Sequence, residues 1–441
     1  MDPAEALALL MSPQGRIDPY PTYERLRAHG PLVQAGPVFS VVTGYAEADE
    51  ILRDSRFGVM DDALRDQFLP GWRDSPAVAS ISRSMLRTNA PDHSRMRRLA
   101  AGAFTPRRIA AMRAVVEAQA EELVGAMRER ARDGEPVDFM AEFAYPLPVG
   151  VICALLGVPA ADRPLFRRWA ADLTGVLEPE ITPQELAVAD QGATELRDYF
   201  AALVRDRRAA PADDLTTALV GVHDADGHDS ASAPRGGAPD RMRADGARLS
   251  GEELLANLVV LLVAGFETTT NLLGNGLVVL LDHPRAADAL RERPDFAPGY
   301  VEELLRYDSP VQLTTRISQA PATCGGAELP AGSWTLLLLG AANRDPRRYP
   351  EPQRFDPWRQ QVHPLSFGAG AHYCLGAGLA RLEAQVAFPL LLRRFPGLAL
   401  AGRPRHRTRL TLRGYETLPV TLGTSPLADR GTPAGVRPGT P

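Results

Sequence analysis

Lysine is missing from this chain. All 49 basic residues are arginine, set against 54 acids in 441 residues, for a formal net charge of −5. With no basic excess there is no electrostatic footprint for nucleic acid or an anionic membrane. Cysteine is nearly missing too. Cys153, Cys324 and Cys374 are an odd, sparse set, which excludes a disulfide framework and suits a reducing compartment. The N-terminus has no basic start followed by an apolar core, so no secretory leader is expected. The longest unbroken apolar run, Leu258 to Phe266, falls well short of the roughly 20 residues that cross a bilayer. Internal repeats and a phosphate-binding glycine loop between strand and helix are also missing. A cytoplasmic globular protein of ordinary composition is expected, 45% hydrophobic and 23% charged.

Helical periodicity dominates what is there. PYPTYERLRAHG reads as a helix stopped by Gly30, PLVQAGPVFSVVTG as a hairpin, and YAEADEILRDSRF as a second helix. A polar, mixed stretch runs from Asp61 to about Ser84. Helices are expected over Asp92–Ala103, through AAMRAVVEAQAEELVGAMRERARDG, over Leu254–Leu281 and near Tyr300–Tyr307. Short strands follow around Ala322–Gly340, and RLTLRGYETLPVTL reads as a last hairpin. The 224–250 segment, rich in Gly, Ala, Pro, Asp and Arg, lacks the apolar residues to order itself and reads as a flexible surface loop. Residues 1–17 read as a mobile N-terminus, 18–422 as a single domain, and 423–441 as a disordered tail.

Two stretches stand out chemically. AGFETTTN, Ala264 to Asn271, puts a glutamate and three threonines inside the longest apolar segment, where an unpaired polar group costs a few kcal/mol. FGAGAHYCLGAGLARLE, Phe367 to Glu383, places Cys374 in a glycine-rich loop just before a helix. A helix N-terminus stabilises a thiolate, and a thiolate in a tight loop suits a metal. A buried, inert cysteine is the plainer alternative at this point, and it suits Cys153 and Cys324 better.

The cysteine stretch, with Phe367, Gly368, Gly370, His372, Cys374, Gly376, Leu379, Ala380, Arg381 and Glu383, resembles the haem-binding loop of the cytochrome P450 family. Three further stretches match that family in the expected order. VEELLRYDSP carries Glu303 and Arg306, with Arg359 downstream in RFDPWR, as a buried structural network. PDHSRMRR carries His93 and Arg97, which the resemblance assigns to the haem propionates together with Arg316 and His372. Ala264, Gly265, Phe266, Glu267, Thr268 and Thr269 resemble the oxygen-activation motif of the long central helix, where Gly265 would leave room above the haem face. The likeness extends from about Asp18 to about Leu422.

The resemblance implies a mainly α fold with small β-sheets (α+β), a triangular single domain holding haem b between the central helix and the Cys-loop helix. It implies Cys374 as axial iron ligand and O2 as cosubstrate. His93, Arg97, Ala264, Gly265, Arg316, Phe367, Gly368, His372 and Gly376 would hold the cofactor, and Glu267 and Thr268 would deliver protons. The expected activity is hydroxylation or epoxidation of a small, largely apolar molecule. The arginine-, alanine- and proline-rich composition fits a high-GC bacterium, and hence tailoring of a secondary metabolite of polyketide, macrolide or peptide type. Oxidative coupling, ring formation, catabolism of a terpene or fatty acid, a peroxide-driven enzyme and a haem sensor or carrier without turnover are the alternatives. No flavin or nicotinamide module is apparent, so a ferredoxin and its reductase are expected to supply electrons to a monomer. Arg97, Arg98, Arg107, Arg108, Arg393 and Arg394 are candidate docking cations. The substrate would meet the 61–84 stretch, with Gln67, Phe68 and Trp72, the region from Leu173 to Glu178, with Leu177, then Ala264, Val311 to Thr314, with Gln312 and Leu313, and Tyr415.

Overall fold

A computed structural model describes residues 2–102, 104–224 and 248–423. Its axis is the 32-residue helix Gly251–Asp282. Ser250 starts it with a capping box: the Ser250 hydroxyl accepts from the Glu253 N–H, and the Glu253 carboxylate accepts from the Ser250 N–H. Its apolar residues lie on all sides, so it must be surrounded. It is long and apolar enough to cross a membrane, yet most of it is buried inside the protein. The helices Pro146–Leu156, Pro183–Ala209, Ala297–Tyr307 and Ala377–Arg394 pack around it. The largest apolar cluster takes residues from Ala77 to Leu422.

To one side lies a five-stranded sheet. Its order is Leu32–Gly36, Phe39–Val42, Trp334–Leu338, Leu313–Ser318 and Phe57–Gly58. The 39–42 and 334–338 strands run parallel, and the other neighbours antiparallel. This sheet carries Arg316 on its 313–318 strand.

Three expectations differ from the structure. Residues 3–17 form two helices rather than a mobile lead. Asp2 and Glu5 make a reciprocal cap, and Ala6 and Leu10 bury against Tyr20, Tyr23 and Leu26. The 61–84 stretch holds helices at Asp62–Phe68 and Pro76–Ser82, begun by the side chains of Asp61 and Ser75. RLTLRGYETLPVTL is not a hairpin. Tyr415–Thr417 pairs with Arg405–His406, while Pro419–Thr421 pairs with Val137–Asp138 and Ala399–Leu400. Only Leu418 separates the two strands, and the commonest tight hairpin loops need two residues. The 224–250 loop and the 423–441 tail lie largely outside the described residues.

Glu303 and Arg306 have side chains with no solvent exposure. Arg306 Nε and Nη2 donate to the two carboxylate oxygens of Glu303, each at 2.7 Å. Its remaining N–H groups donate to the carbonyls of Asn343, Pro352 and Arg354. Glu303 also accepts from the Asp356 N–H at 2.9 Å, and Arg359 Nε lies 3.6 Å from it. The pair therefore ties the coil 343–359 to the helix Ala297–Tyr307. The Asn343 side chain continues the tie to the Cys loop: its carbonyl oxygen accepts from the Leu365 N–H, and its amide donates to the hydroxyls of Ser309 and Ser366. Removing one partner of such a pair strands a buried charge. Arg306→Ala is expected to lower unfolding free energy by about 3–5 kcal/mol in urea titrations; a loss below about 1 kcal/mol would show the pair to be dispensable.

Candidate active site

The Cys loop turns twice, at Leu365–Phe367 and Gly370–His372. Gly368 and Gly370 adopt φ +68° and +66°, conformations that side-chain-bearing residues avoid. Gly370 is also pressed against the helix Tyr45–Arg53: a Cβ there would sit 2.2 Å from the Leu52 carbonyl oxygen. The Cys374 N–H closes the loop by donating to the Phe367 carbonyl at 2.9 Å. The Arg381 guanidinium covers the Phe367 ring at 4.5 Å and pairs with Glu302. Gly376 then caps the helix Ala377–Arg394, and nothing lies within 4 Å of where its side chain would be.

Cys374 is accessible to solvent, yet it sits deep enough that lost hydration raises its thiol pKa. The Gly376 N–H, the charges of Arg97 and Arg381, and the Ala377 N–H pull the other way. The sulfur thus sits on a helix N-terminus beside two guanidinium groups, an arrangement that favours a thiolate once a metal offsets the burial.

Beside it lies a cluster of positive groups. His93 and Arg97 share one face of the helix Asp92–Ala101. The His93 ring stacks on that of His372, with centroids 3.9 Å apart. Arg97 donates to the Tyr373 carbonyl, and Arg316 to the Thr314 hydroxyl and the Thr315 carbonyl. Among the described residues no carboxylate pairs with these four. Burial first lowers His93 to about 4, His372 to about 3 and Arg316 to about 10; nearby charge adds to it, from Arg97 and Arg316 at His93, from His93, Arg316 and Arg97 at His372, and from Arg87 at Arg316. His93 Nε2 is buried with no partner in the protein. Two guanidinium groups and two imidazole donors, with no carboxylate beside them among the described residues, fit a ligand with two carboxylates. The two propionates of haem meet that demand, so the residues fit the cofactor expected from the sequence. Arg87, whose charge also weighs on Arg316 and His372, had no spacing signal to mark it.

The third component is on the central helix. Ala264 is exposed and Thr268 partly so, although their neighbours Val263, Phe266, Glu267 and Thr269 are buried. A small open patch therefore interrupts the core. The Thr268 hydroxyl donates to the Ala264 carbonyl at 3.0 Å, which loosens the helix locally. Gly265 is tightly packed. A Cβ there would meet the Ile152 side chain at 2.8 Å, so this glycine also lets the helix Pro146–Leu156 pack closely, a demand the sequence did not show.

Glu267 is 1% exposed and pairs with Arg407. Among the described residues no hydrogen bond joins it to Thr268. Burial raises the Glu267 carboxyl to about 7, against the field of Arg409, and burial likewise lowers Arg407 to about 10. Arg407 lies in RPRHRTRLTLR, an arginine-rich run with no pattern that singles it out.

The expected substrate region is partly reassigned. Gln312 is fully buried, accepting from the Tyr23 hydroxyl and donating to the Ser309 carbonyl. Tyr415 packs on His406, Trp72 is buried and donates to Asp66, and Phe68 stacks on Trp334. Leu177 and Thr174 face the 409–411 segment through Thr411 and Arg409.

Comparison with known proteins gives the family. The family model described as Cytochrome P450 matches residues 193–295 and 295–400. The cytochrome P450 monooxygenase PikC of Streptomyces venezuelae is 38% identical over 435 residues, covering 96% of this chain and 94% of its own. The polyketide biosynthesis cytochrome P450 PksS of Bacillus subtilis is 36% identical, covering 87% and 88%. Among solved structures, the tirandamycin C-bound P450 monooxygenase TamI superposes with a TM-score of 0.79 at 35% identity, over 93% of this chain and 99% of that one. The cysteine loop, the buried Glu–Arg network, the helical fold and these relatives converge: the chain belongs to the cytochrome P450 family and is a haem-thiolate monooxygenase that uses O2.

Proposed function

We propose that this chain is a cytoplasmic, monomeric tailoring enzyme that hydroxylates or epoxidises a sizeable, largely apolar secondary metabolite of polyketide type. Relatives whose names speak of polyketide biosynthesis and tirandamycin C support the substrate class. The observation that carries the reading is the open patch at Ala264 and Thr268 on a buried helix, with the buried acid Glu267 next to it. Cys374 would hold the haem iron through its thiolate. Bound haem supplies the iron at which O2 is reduced, and a thiolate ligand favours O–O cleavage. Each turnover takes two electrons and two protons, places one oxygen atom in the substrate and releases the other as water.

The chain's own residues manage the protons. Thr268 presents a hydroxyl whose proton can turn from the Ala264 carbonyl toward the open patch while its oxygen accepts from a proton donor. Glu267, held near 7 by burial, is an acid matched to neutral pH. The apolar wall around both excludes bulk water. Arg97, His93, Arg316 and His372 would hold the propionates and so set the cofactor's orientation.

The electron donor is a ferredoxin. Four of the expected docking cations are otherwise engaged: Arg108 pairs with Asp213, Arg394 with Glu121, Arg97 turns to the Tyr373 carbonyl and Arg98 has contacts of its own. Arg107 and Arg393 are exposed, with no ion-pair partner among the described residues. They lie on the two helices, Pro106–Arg130 and Ala377–Arg394, that pack together beside the Cys loop.

Titrating the ferric protein with a panel of polyketides, terpenes and fatty acids tests the substrate class. A polyketide should shift the iron toward high spin at the lowest concentration; a shift given only by fatty acids would overturn the assignment. Only protonated Glu267 can donate, so product formed per NADPH should fall as pH rises through about 7. Glu267→Gln should flatten that profile, and Thr268→Ala should cut the yield by about tenfold or more while peroxide release rises. The double reversal Arg107→Glu with Arg393→Glu should raise the KM for ferredoxin severalfold and leave the substrate-induced spectral shift unchanged.

A further inference from the structure

The central helix carries a second polar feature that the oxygen site does not use. Glu267, Asn271 and Asn275 are spaced four apart and form one stripe along the helix. They are 1%, 0% and 1% exposed. The segment 406–415 lies over the stripe like a strap. Arg407 pairs with Glu267. Gly414 abuts Asn271 so closely that a Cβ would come within 2.1 Å of its Oδ1. Asn275 Nδ2 donates to the Arg413 carbonyl at 3.2 Å. Tyr415 lies against Gly274, and the His406 ring packs on Tyr415 at 4.2 Å.

Buried polar atoms nearly always have partners. Along this seam they do not. Glu267 Oε2, Thr270 Oγ1, both polar atoms of the Asn271 amide, Asn275 Oδ1 and His406 Nδ1 are all buried with no hydrogen-bond partner in the protein. These are acceptors and donors on facing elements, a chemistry that water satisfies with two to four bonds per molecule.

We propose that the seam between this helix and the 406–415 strap holds a short file of ordered water that reprotonates Glu267, with Asn271 as its positioning residue. The proposal rests on the reading of Glu267 as proton donor. Once Glu267 has given its proton toward Thr268, it must be recharged, and it is shut off from bulk solvent. An O–H bond of the adjacent water breaks and the O–H of the Glu267 carboxyl forms. The resulting hydroxide takes a proton from the next water, and the deficit passes outward to solvent at the strap's exposed residue Thr408 and at Arg405 just before it. No electrons move. Asn271 does not titrate, but its amide both accepts and donates, so it holds water in either orientation. The charged and titratable groups facing Glu267 are Arg407 and Arg409, with Tyr145 beneath Arg407. Glu416, just past the strap, adds its charge at Arg407.

Infrared spectroscopy of the resting holoenzyme, mixed into D2O at about pH 6, follows hydrogen–deuterium exchange at the Glu267 carboxyl. Its band is identified by its loss in Glu267→Gln. Asn271→Leu should slow the exchange at least tenfold, and Asn271→Ser, which keeps a hydroxyl, should restore most of it. The solvent isotope effect on product formation should rise in the leucine variant. A crystal structure should show water bonded to both Asn271 and Glu267. Unchanged exchange in a folded Asn271→Leu protein, or a dry seam, would overturn the proposal. If leucine prevents folding, Asn271→Ala takes its place with the same expected slowing. If Glu267→Gln leaves the product yield unchanged, the donor reading falls, whereas the exchange rate judges the water file alone.

Discussion

The buried pair of Glu303 and Arg306 is the constraint on which the site depends. Neither side chain touches solvent, so every donor and acceptor on them has to be met inside the protein. Arg306 meets this by gathering three carbonyls from the coil 343–359, and Glu303 by holding the Asp356 N–H and Arg359. Asn343 then passes that anchorage to Leu365 and Ser366. The Cys loop begins there. The position of Cys374 is thus inherited from an ion pair that has no part in the chemistry.

The site itself is built from unbalanced groups. Burial pushes the pKa values of His93, His372, Arg97 and Arg316 down, and among the described residues no carboxylate pairs with them. Cys374 is pushed the opposite way by the same burial. A dianionic metal complex answers both at once, its carboxylates neutralising the cations and its metal stabilising the thiolate. The central helix supplies a small exposed patch at Ala264 and Thr268 and keeps its acid, Glu267, buried against Arg407. The acid is set back behind the alcohol, where burial rather than a neighbour keeps it near neutral pKa.

Much of this was legible in the sequence because the relevant signals are local. The glycines at 368 and 370 mark left-handed turns, the 93/97 and 303/306 spacings mark shared helix faces, and continuous apolar character marks the central helix. The resemblance to the family did the rest, by giving those patterns an order and a cofactor. What was missed depends on contacts far apart in sequence. Arg407 joins Glu267 across 140 positions, and no local pattern distinguishes it from the arginines around it. The packing demand on Gly265 was not visible because the helix alone does not reveal that Ile152 crowds it. Gln312 and Tyr415 looked like pocket residues because a polar or aromatic residue on a strand gives no sign of which partners will consume it. The last strands were joined wrongly because pairing with 405–406 and 137–138 is invisible in their own alternation. The N-terminal helices were overlooked because their burial depends on Tyr20, Tyr23 and Leu26, although the Asp2–Glu5 cap was there to be read.

The central claim is that Cys374 and the cation cluster together hold haem. A crystal structure of the purified protein, with anomalous diffraction measured at the iron absorption edge, tests it most directly. The account predicts one iron bonded to Cys374 Sγ, with the two propionates against His93, Arg97, Arg316 and His372. An iron ligated by a histidine, or propionates turned away from that cluster, would contradict it.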